Sequence, residues 1–313
     1  MKNIRSFLTK RSGFEEVKRM IQQLFGDYLV KTGKLSESQL QTVFECQKKV
    51  RVKLGLIAVA EKLMTPQQSD ELNRLQAVVD KRFGDLAIEK GYLTEAQVSK
   101  LLSLQGNAYL TFIQAITDNG FLKLDEIEAS LADFQKENAF TAGDMEAIKA
   151  DDIDKTIALF LPSDVEPLQV ELMQTAIRTF IRLIDSDIFV EKAFWKSTFS
   201  MGSYAIQHLR GERPASLLFA GQADSLLTIA EPFAGEEFET VDMDALDAVG
   251  EFTNCVNGMF CAKNSAKCEL DMLPPSFRDG DYIAKANRMC ILPIHVGQSV
   301  VYMITAFDET IVI

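Results

Sequence analysis

LFGDYLVKTGKLSESQLQTVFECQ (residues 24–47) and RFGDLAIEKGYLTEAQVSKLLSLQ (residues 82–105) are two copies of one pattern. Gly26, Gly55 and Gly84 lie 29 residues apart, as do Gln47, Gln76 and Gln105, so the period of a repeat is fixed. The copy between them, KLGLIAVAEKLMTPQQSDELNRLQ (residues 53–76), is looser and carries Lys62 where its neighbours carry Gly33 and Gly91. A fourth copy survives as ITDNGFLKLDEIEASLADFQ (residues 116–135), with Gly120 in the same phase. Each unit reads as a helix, a glycine stop and a second helix, because glycine takes the left-handed conformation at a helix end at least cost. Ser36 and Thr94 read as N-caps, since SESQ and TEAQ place Gln three residues on. Thr65 followed by Pro66 is a further helix start. Leu40 with Phe44, and Val98 with Leu102, are expected to face inward. The expectation is an all-α helical repeat domain over residues 1–140.

The whole chain has 313 residues, 47% hydrophobic and 25% charged, a balance that excludes wholesale disorder. No stretch reaches the roughly 18 apolar residues of a membrane span, and MKNIRSFLTKRSG lacks a secretory apolar core. Five cysteines at 46, 255, 261, 268 and 290, with no CxxC spacing, argue against a disulfide framework or a zinc ribbon and fit a reducing cytoplasm. No metal site is expected. The net charge of −12 is uneven: residues 1–100 hold 18 Lys+Arg against 12 Asp+Glu, and the rest hold 15 against 33. The acidic part should repel nucleic acid, while the basic part could attract an anion.

Residues 141–164 are polar and acid-rich, with Pro162 near their end and Pro167 just beyond it, so they read as a linker with a short helix near Asp144. Beyond it, residues 165–313 read as an α+β domain. A helix is expected over Leu168–Ile184. FWKSTFSMG, ASLLFAGQA and SLLTIAEPF read as β-rich runs, and MCILPIHVG and SVVYMITAF as a hairpin through Gly297-Gln298.

DMDALDAVGEFTNCVNGMFCAK (residues 242–263) reads as a helix whose wheel gathers Leu246, Val249, Phe252, Val256, Met259 and Phe260 on one buried arc. Opposite lie Asp247, Gly250, Glu251, Asn254, Gly258 and Cys261. Two glycines inside a helix cost about 1 kcal/mol each against alanine. They call for close approach of something to that face, or else mark a kink or a packing contact beneath solvated polar groups.

Two resemblances follow from these residues. The repeats, over about 20–135, resemble the RLGxxLxxxGxxxxxxLxxxLxxQ motif of the MshEN domain of secretion and pilus ATPases. That family binds cyclic di-GMP, which would place Lys53, Leu54, Gly55 and Gln76 beside Arg82, Phe83, Gly84 and Gln105 around the ligand. The motif is incomplete here: its opening Arg is present only as Arg82, and Lys62 and Ser69 break the second copy. Glycines and glutamines that only shape and cap helices are the other reading. The C-terminal domain, over about 166–313, resembles the CheC/CheX/FliY chemotaxis phosphatases. The D/S-x-x-x-E-x-x-N signature reads Asp247, Glu251 and Asn254, with Pro274 or Pro275 downstream. The absence of a second such helix fits a CheX-like, single-site member with a mainly antiparallel sheet.

This second resemblance implies hydrolysis of an aspartyl phosphate on a CheY-like receiver whose own Mg²⁺ and lysine stabilise charge, with no cofactor held by this chain. Glu251 and Asn254 are then the catalytic pair, and Asp247, Gly250, Gly258, Pro274 and Pro275 the receiver-docking residues. An amide cannot act as a base near neutral pH, but it can orient a water. Glu251 would pair with the receiver's lysine. The resemblance also implies a homodimer. The alternative is a non-catalytic two-module adaptor that binds a receiver and a chemotaxis or secretion partner. Cys255, Cys261 and Cys268, and His208 and His295, read as structural.

Overall fold

The computed structural model describes residues 20–47, 52–76, 78–79, 81–105, 107–150, 152–186 and 188–313. The chain divides into two compact units, with the break at residues 151/152. The first is all helical: α1 (Met20–Lys31), α2 (Glu37–Gln47), α3 (Leu54–Ala60), α4 (Pro66–Gln76), α5 (Phe83–Glu89), α6 (Glu95–Ser103), α7 (Ala108–Asp118), α8 (Leu124–Glu137) and α9 (Ala142–Lys149).

The 29-residue period reappears as backbone geometry. Gly33, Lys62, Gly91 and Gly120 take φ of 69°, 56°, 70° and 68°. At each of these stops two bonds close the helix end. The Gly33 N–H donates to Val30 O at 2.9 Å and the Lys34 N–H to Leu29 O at 2.8 Å, and Lys62 and Leu63 repeat the pair at 2.9 Å each. The second unit therefore keeps the turn without the glycine. Three residues on, Ser36, Thr65 and Thr94 each accept the N–H of a Gln that in turn accepts the cap's own N–H. These are three reciprocal capping boxes.

The other glycine series has a different cause. A Cβ on Gly26 would lie 2.6 Å from Leu40 Cδ1, and one on Gly84 would lie 2.9 Å from Val98 Cγ1. In both, glycine lets the second helix of its own unit pack directly on the first. The expected inward pair on α6 is shifted by one residue: Leu101 is fully buried and Leu102 is 49% exposed. Leu101, three residues after the half-buried Val98, takes the inward place instead, and i, i+3 and i, i+4 positions share a helix face. Residues 141–164, read as a linker, hold α9 and α10 (Ile153–Ala158). Thr141 and Asp152 cap these helices, and Met145, Ile148 and Ile157 are buried.

The second unit holds α10, α11 (Pro167–Leu183), α12 (Leu227–Ala234) and α13 (Met243–Asn264). Its strands are β1 (Ile188–Val190), β2 (Phe194–Met201), β3 (Tyr204–Gly211), β4 (Ala215–Gly221), β5 (Leu270–Met272), β6 (Ser276–Arg278), β7 (Tyr282–Val296) and β8 (Ser299–Phe307). They form one sheet in the order β1-β7-β8-β4-β3-β5, with β2 on β7 and β6 on β3. Every pairing is antiparallel. This is the α+β fold with a mainly antiparallel sheet that was expected.

Central β4 is buried along its whole length, as a strand covered on both faces must be. On one face Phe180 of α11 and Phe252 of α13 meet edge to face at 5.7 Å, and both lie tilted against Phe219 of β4, at 6.4 and 5.3 Å. Met201, Ile206, Leu218, Met289 and Ile304 form the core of the other face. The segment SLLTIAEPF, expected as strand, is instead a 3-10 turn running into α12, closed by Gly235 at φ 75°. A short apolar run has no period to separate helix from strand, and packing on α13 decides it. Strand β3, YAIQHLRG, was not anticipated at all.

Candidate functional site

Helix α13 carries the site. Asp242 caps it, its Oδ1 accepting the Asp244 and Ala245 N–H groups at 3.1 and 2.9 Å. The expected arc is buried at Leu246, Val249, Phe252, Val256 and Phe260, with Met259 only partly so. The opposite arc is not uniformly wet. Asp247 and Glu251 are exposed and Asn254 is half-buried, but Gly250 is buried.

The reason for Gly250 is internal. A Cβ there would lie 3.1 Å from the Phe277 ring and 3.6 Å from Pro275 Cβ. The space beside Gly250 is taken up by β6 and the segment before it. At Gly258 a Cβ would meet only Met272, at 3.9 Å. Met272 is 42% exposed, so that end of the face is open.

Pro274 and Pro275 interrupt what is otherwise one edge strand. β5 pairs with Leu209–Gly211 and β6 with Tyr204–Ile206, leaving the prolines opposite Gln207 and His208. Proline has no N–H for the ladder and is at home at such a break. Here the Gln207 side chain, 1% exposed, reaches α13. Its Nε2 donates to Asn254 Oδ1 at 2.8 Å and to Leu273 O at 2.7 Å. Its Oε1 accepts from Asn257 Nδ2 at 2.9 Å. Neither Gln207 nor Asn257 was singled out from sequence. The available signal was a glutamine between Ala205 and Leu209 on the inward side of an apolar strand.

The thiols beside the site are not activated. Burial pushes the Cys255 thiol up, with nearby Arg182 opposing and Glu251 reinforcing that shift. Burial likewise raises Cys261, with a smaller effect from Cys268. Among the described residues no group of three His, Cys, Asp or Glu could hold a metal ion. Burial lowers the pKa of His208, whose Nδ1 lies 2.8 Å from Ser216 Oγ, and His295 meets Glu191 at 2.7 Å.

In the helical unit the two sets named for a ligand lie together. The Phe83 ring stands 2.9 Å from the Cβ position of Gly55, and Leu54 Cδ2 stands 3.8 Å from that of Gly84. Lys53 and Arg82 are the N-caps of α3 and α5. Lys53 Nζ pairs with Asp118 at 2.8 Å, while Gln76 and Gln105 donate to Lys81 O and Val52 O at 3.2 and 2.9 Å. Packing and backbone capping thus occupy several of these groups. The Gln47 side chain lies outside the described residues.

Residues 203–295, which run from β3 to β7 and include Glu251, Asn254 and both prolines, match the model of the family described as chemotaxis phosphatase CheX. Among solved structures, a CheC-like superfamily protein from Shewanella sp. PV-4 is 20% identical, with a TM-score of 0.42, 46% of this chain and 100% of that chain covered. A chemotaxis protein CheX from Desulfovibrio desulfuricans is 12% identical, with a TM-score of 0.40 and coverage of 45% and 99%. The CheX–CheY–BeF₃–Mg²⁺ complex from Borrelia burgdorferi is 21% identical, with a TM-score of 0.38 and coverage of 44% and 96%. No curated protein matches the chain. Among the described residues no helix is long and apolar enough to cross a membrane.

Proposed function

We propose that the C-terminal unit hydrolyses the aspartyl phosphate of a CheY-like receiver, with Glu251 and Asn254 as the acting pair. The observation that carries this reading is their placement. An exposed carboxylate lies one helical turn before a half-buried amide, within the segment that matches the phosphatase family. An acyl phosphate needs no protein nucleophile. Water forms the new P–O bond as the acyl P–O bond breaks, the aspartate leaves as carboxylate, and inorganic phosphate departs. Positioning of the water and charge stabilisation by the receiver's own Mg²⁺ and lysine account for the chemistry. Asn254 orients the water, and Glu251 pairs with the receiver's lysine. Asp247, Met272 and Pro274 are exposed around them and form the rim of the docking face.

Decay of phosphorylated receivers with Mg²⁺ tests this. Wild type should accelerate decay, and Asn254→Ala should abolish the acceleration while binding persists. Binding without acceleration by wild type would favour the adaptor reading instead.

For the helical unit the reading is a regulatory module whose ligand would be cyclic di-GMP, approached through Lys53–Gly55 and Arg82–Gly84. The juxtaposition of those two helix starts supports it. Titration calorimetry with cyclic di-GMP, repeated on Arg82→Ala, tests it, and no heat at high micromolar ligand would end it. A homodimer through strand edges fits β2, which pairs only with β7 among the described strands. Sedimentation velocity would read the mass.

A further inference from the structure

We infer that Gln207 is the positioning residue for Asn254, setting which end of its amide faces the incoming receiver. The inference rests on the phosphatase reading for its catalytic consequence, but the orientation itself is a property of the fold. A backbone carbonyl can only accept, so Leu273 O fixes the Gln207 amide with its NH₂ toward the β5–β6 connection. The second hydrogen of that NH₂ points at Asn254, which must answer with Oδ1. The Asn254 NH₂ is thereby the end of the amide that Gln207 leaves available. Gln207 Oε1 accepts from Asn257 Nδ2 at 2.9 Å, so both ends of its amide are held.

The consequence is preorganisation. Asn254 meets the receiver with its donor already aimed at a water or phosphoryl oxygen, and no rotation is needed during reaction. Because Gln207 also grips Leu273, the residue before Pro274, it locks the amide and the proline segment into one rigid unit.

Two sets of variants test this on the full chain. Asn254→Asp keeps the inward acceptor and loses the outward donor, so it should melt close to wild type, above Asn254→Ala, and lose turnover. Asn254→Asp melting at or below Asn254→Ala would overturn the orientation without reference to any receiver. Gln207→Met is isosteric and removes the grip, so kcat for receiver dephosphorylation should fall about tenfold or more with KM within about twofold. Gln207→Glu, which cannot donate to either carbonyl when ionised, should show the same split and replaces Gln207→Met if that variant unfolds. Wild-type kcat in a folded Gln207 variant, beside an inactive Asn254→Ala, overturns the positioning role and leaves the phosphatase reading standing. Absence of acceleration by wild type overturns both.

Discussion

The ring of Phe277 on β6 occupies the space that a side chain on Gly250 would need, 3.1 Å from its Cβ position. The glycine in the middle of α13 is therefore a packing residue that brings the helix onto the proline-interrupted edge strand. Gly250→Val should displace Phe277 and lower stability by about 1–3 kcal/mol, as overpacking does. A denaturant midpoint no lower than that of wild type would mean the contact is not needed.

Lys62 holds the left-handed position that Gly33, Gly91 and Gly120 hold in the other repeats. A side chain there costs about 1–2 kcal/mol against the right-handed form. Lys62→Gly should raise the stability of the helical unit by about 1 kcal/mol, after allowing for glycine's greater freedom when unfolded. Thermal melting would read this as a higher midpoint.

Thr94 both accepts the Gln97 N–H and donates its own N–H to Gln97 Oε1, at 3.3 and 2.8 Å. Thr94→Ala should cost about 1 kcal/mol. Amide exchange should quicken in the first turn of α6 before it does elsewhere in the unit.

Glu171 on α11 takes Lys263 at 2.9 Å and Lys267 at 3.3 Å, tying α11 to the end of α13. Burial alone would raise its carboxyl, and hydrogen bonds from the two lysines more than reverse that, holding it below the ordinary 4.5. The folded carboxyl titrates below the unfolded one. Its contribution is thus fully present above the unfolded value and is lost as pH falls through the folded value. The stability difference between wild type and Glu171→Gln should be constant near neutrality and shrink on acidification below pH 4.5. Melts of both proteins across that range would show convergence. A gap that stays constant would mean the pairs contribute nothing.

Glu251 is exposed and has no ion pair or hydrogen bond to other described residues. Glu251→Gln should leave stability within about 0.5 kcal/mol of wild type, as exposed substitutions generally do. Its effect should appear as weaker receiver binding, read from the half-saturating receiver concentration.

Elements that local chemistry specifies were legible along the chain. Spacing of 29 residues with glycine stops and Ser/Thr caps is enough to place the left-handed residues at 33, 91 and 120, because backbone sterics and capping act within a few residues. The apolar arc of α13 was legible for the same reason. So was the β7–β8 hairpin through Gly297-Gln298, where Val296 faces Ser299.

Features that depend on neighbours distant in sequence emerged only from packing. SLLTIAEPF became a helix because its apolar residues had α13 to pack on. Ile153–Ala158, read as part of a linker, folded as a helix because Ile157 found a core to enter. The reason for Gly250 lies 27 residues away at Phe277, and the partner that aims Asn254 lies 47 residues away on β3. A helical wheel can say which side chains share a face. It cannot say that a buried glutamine on a neighbouring strand, itself oriented by a backbone carbonyl, decides which end of an amide that face presents.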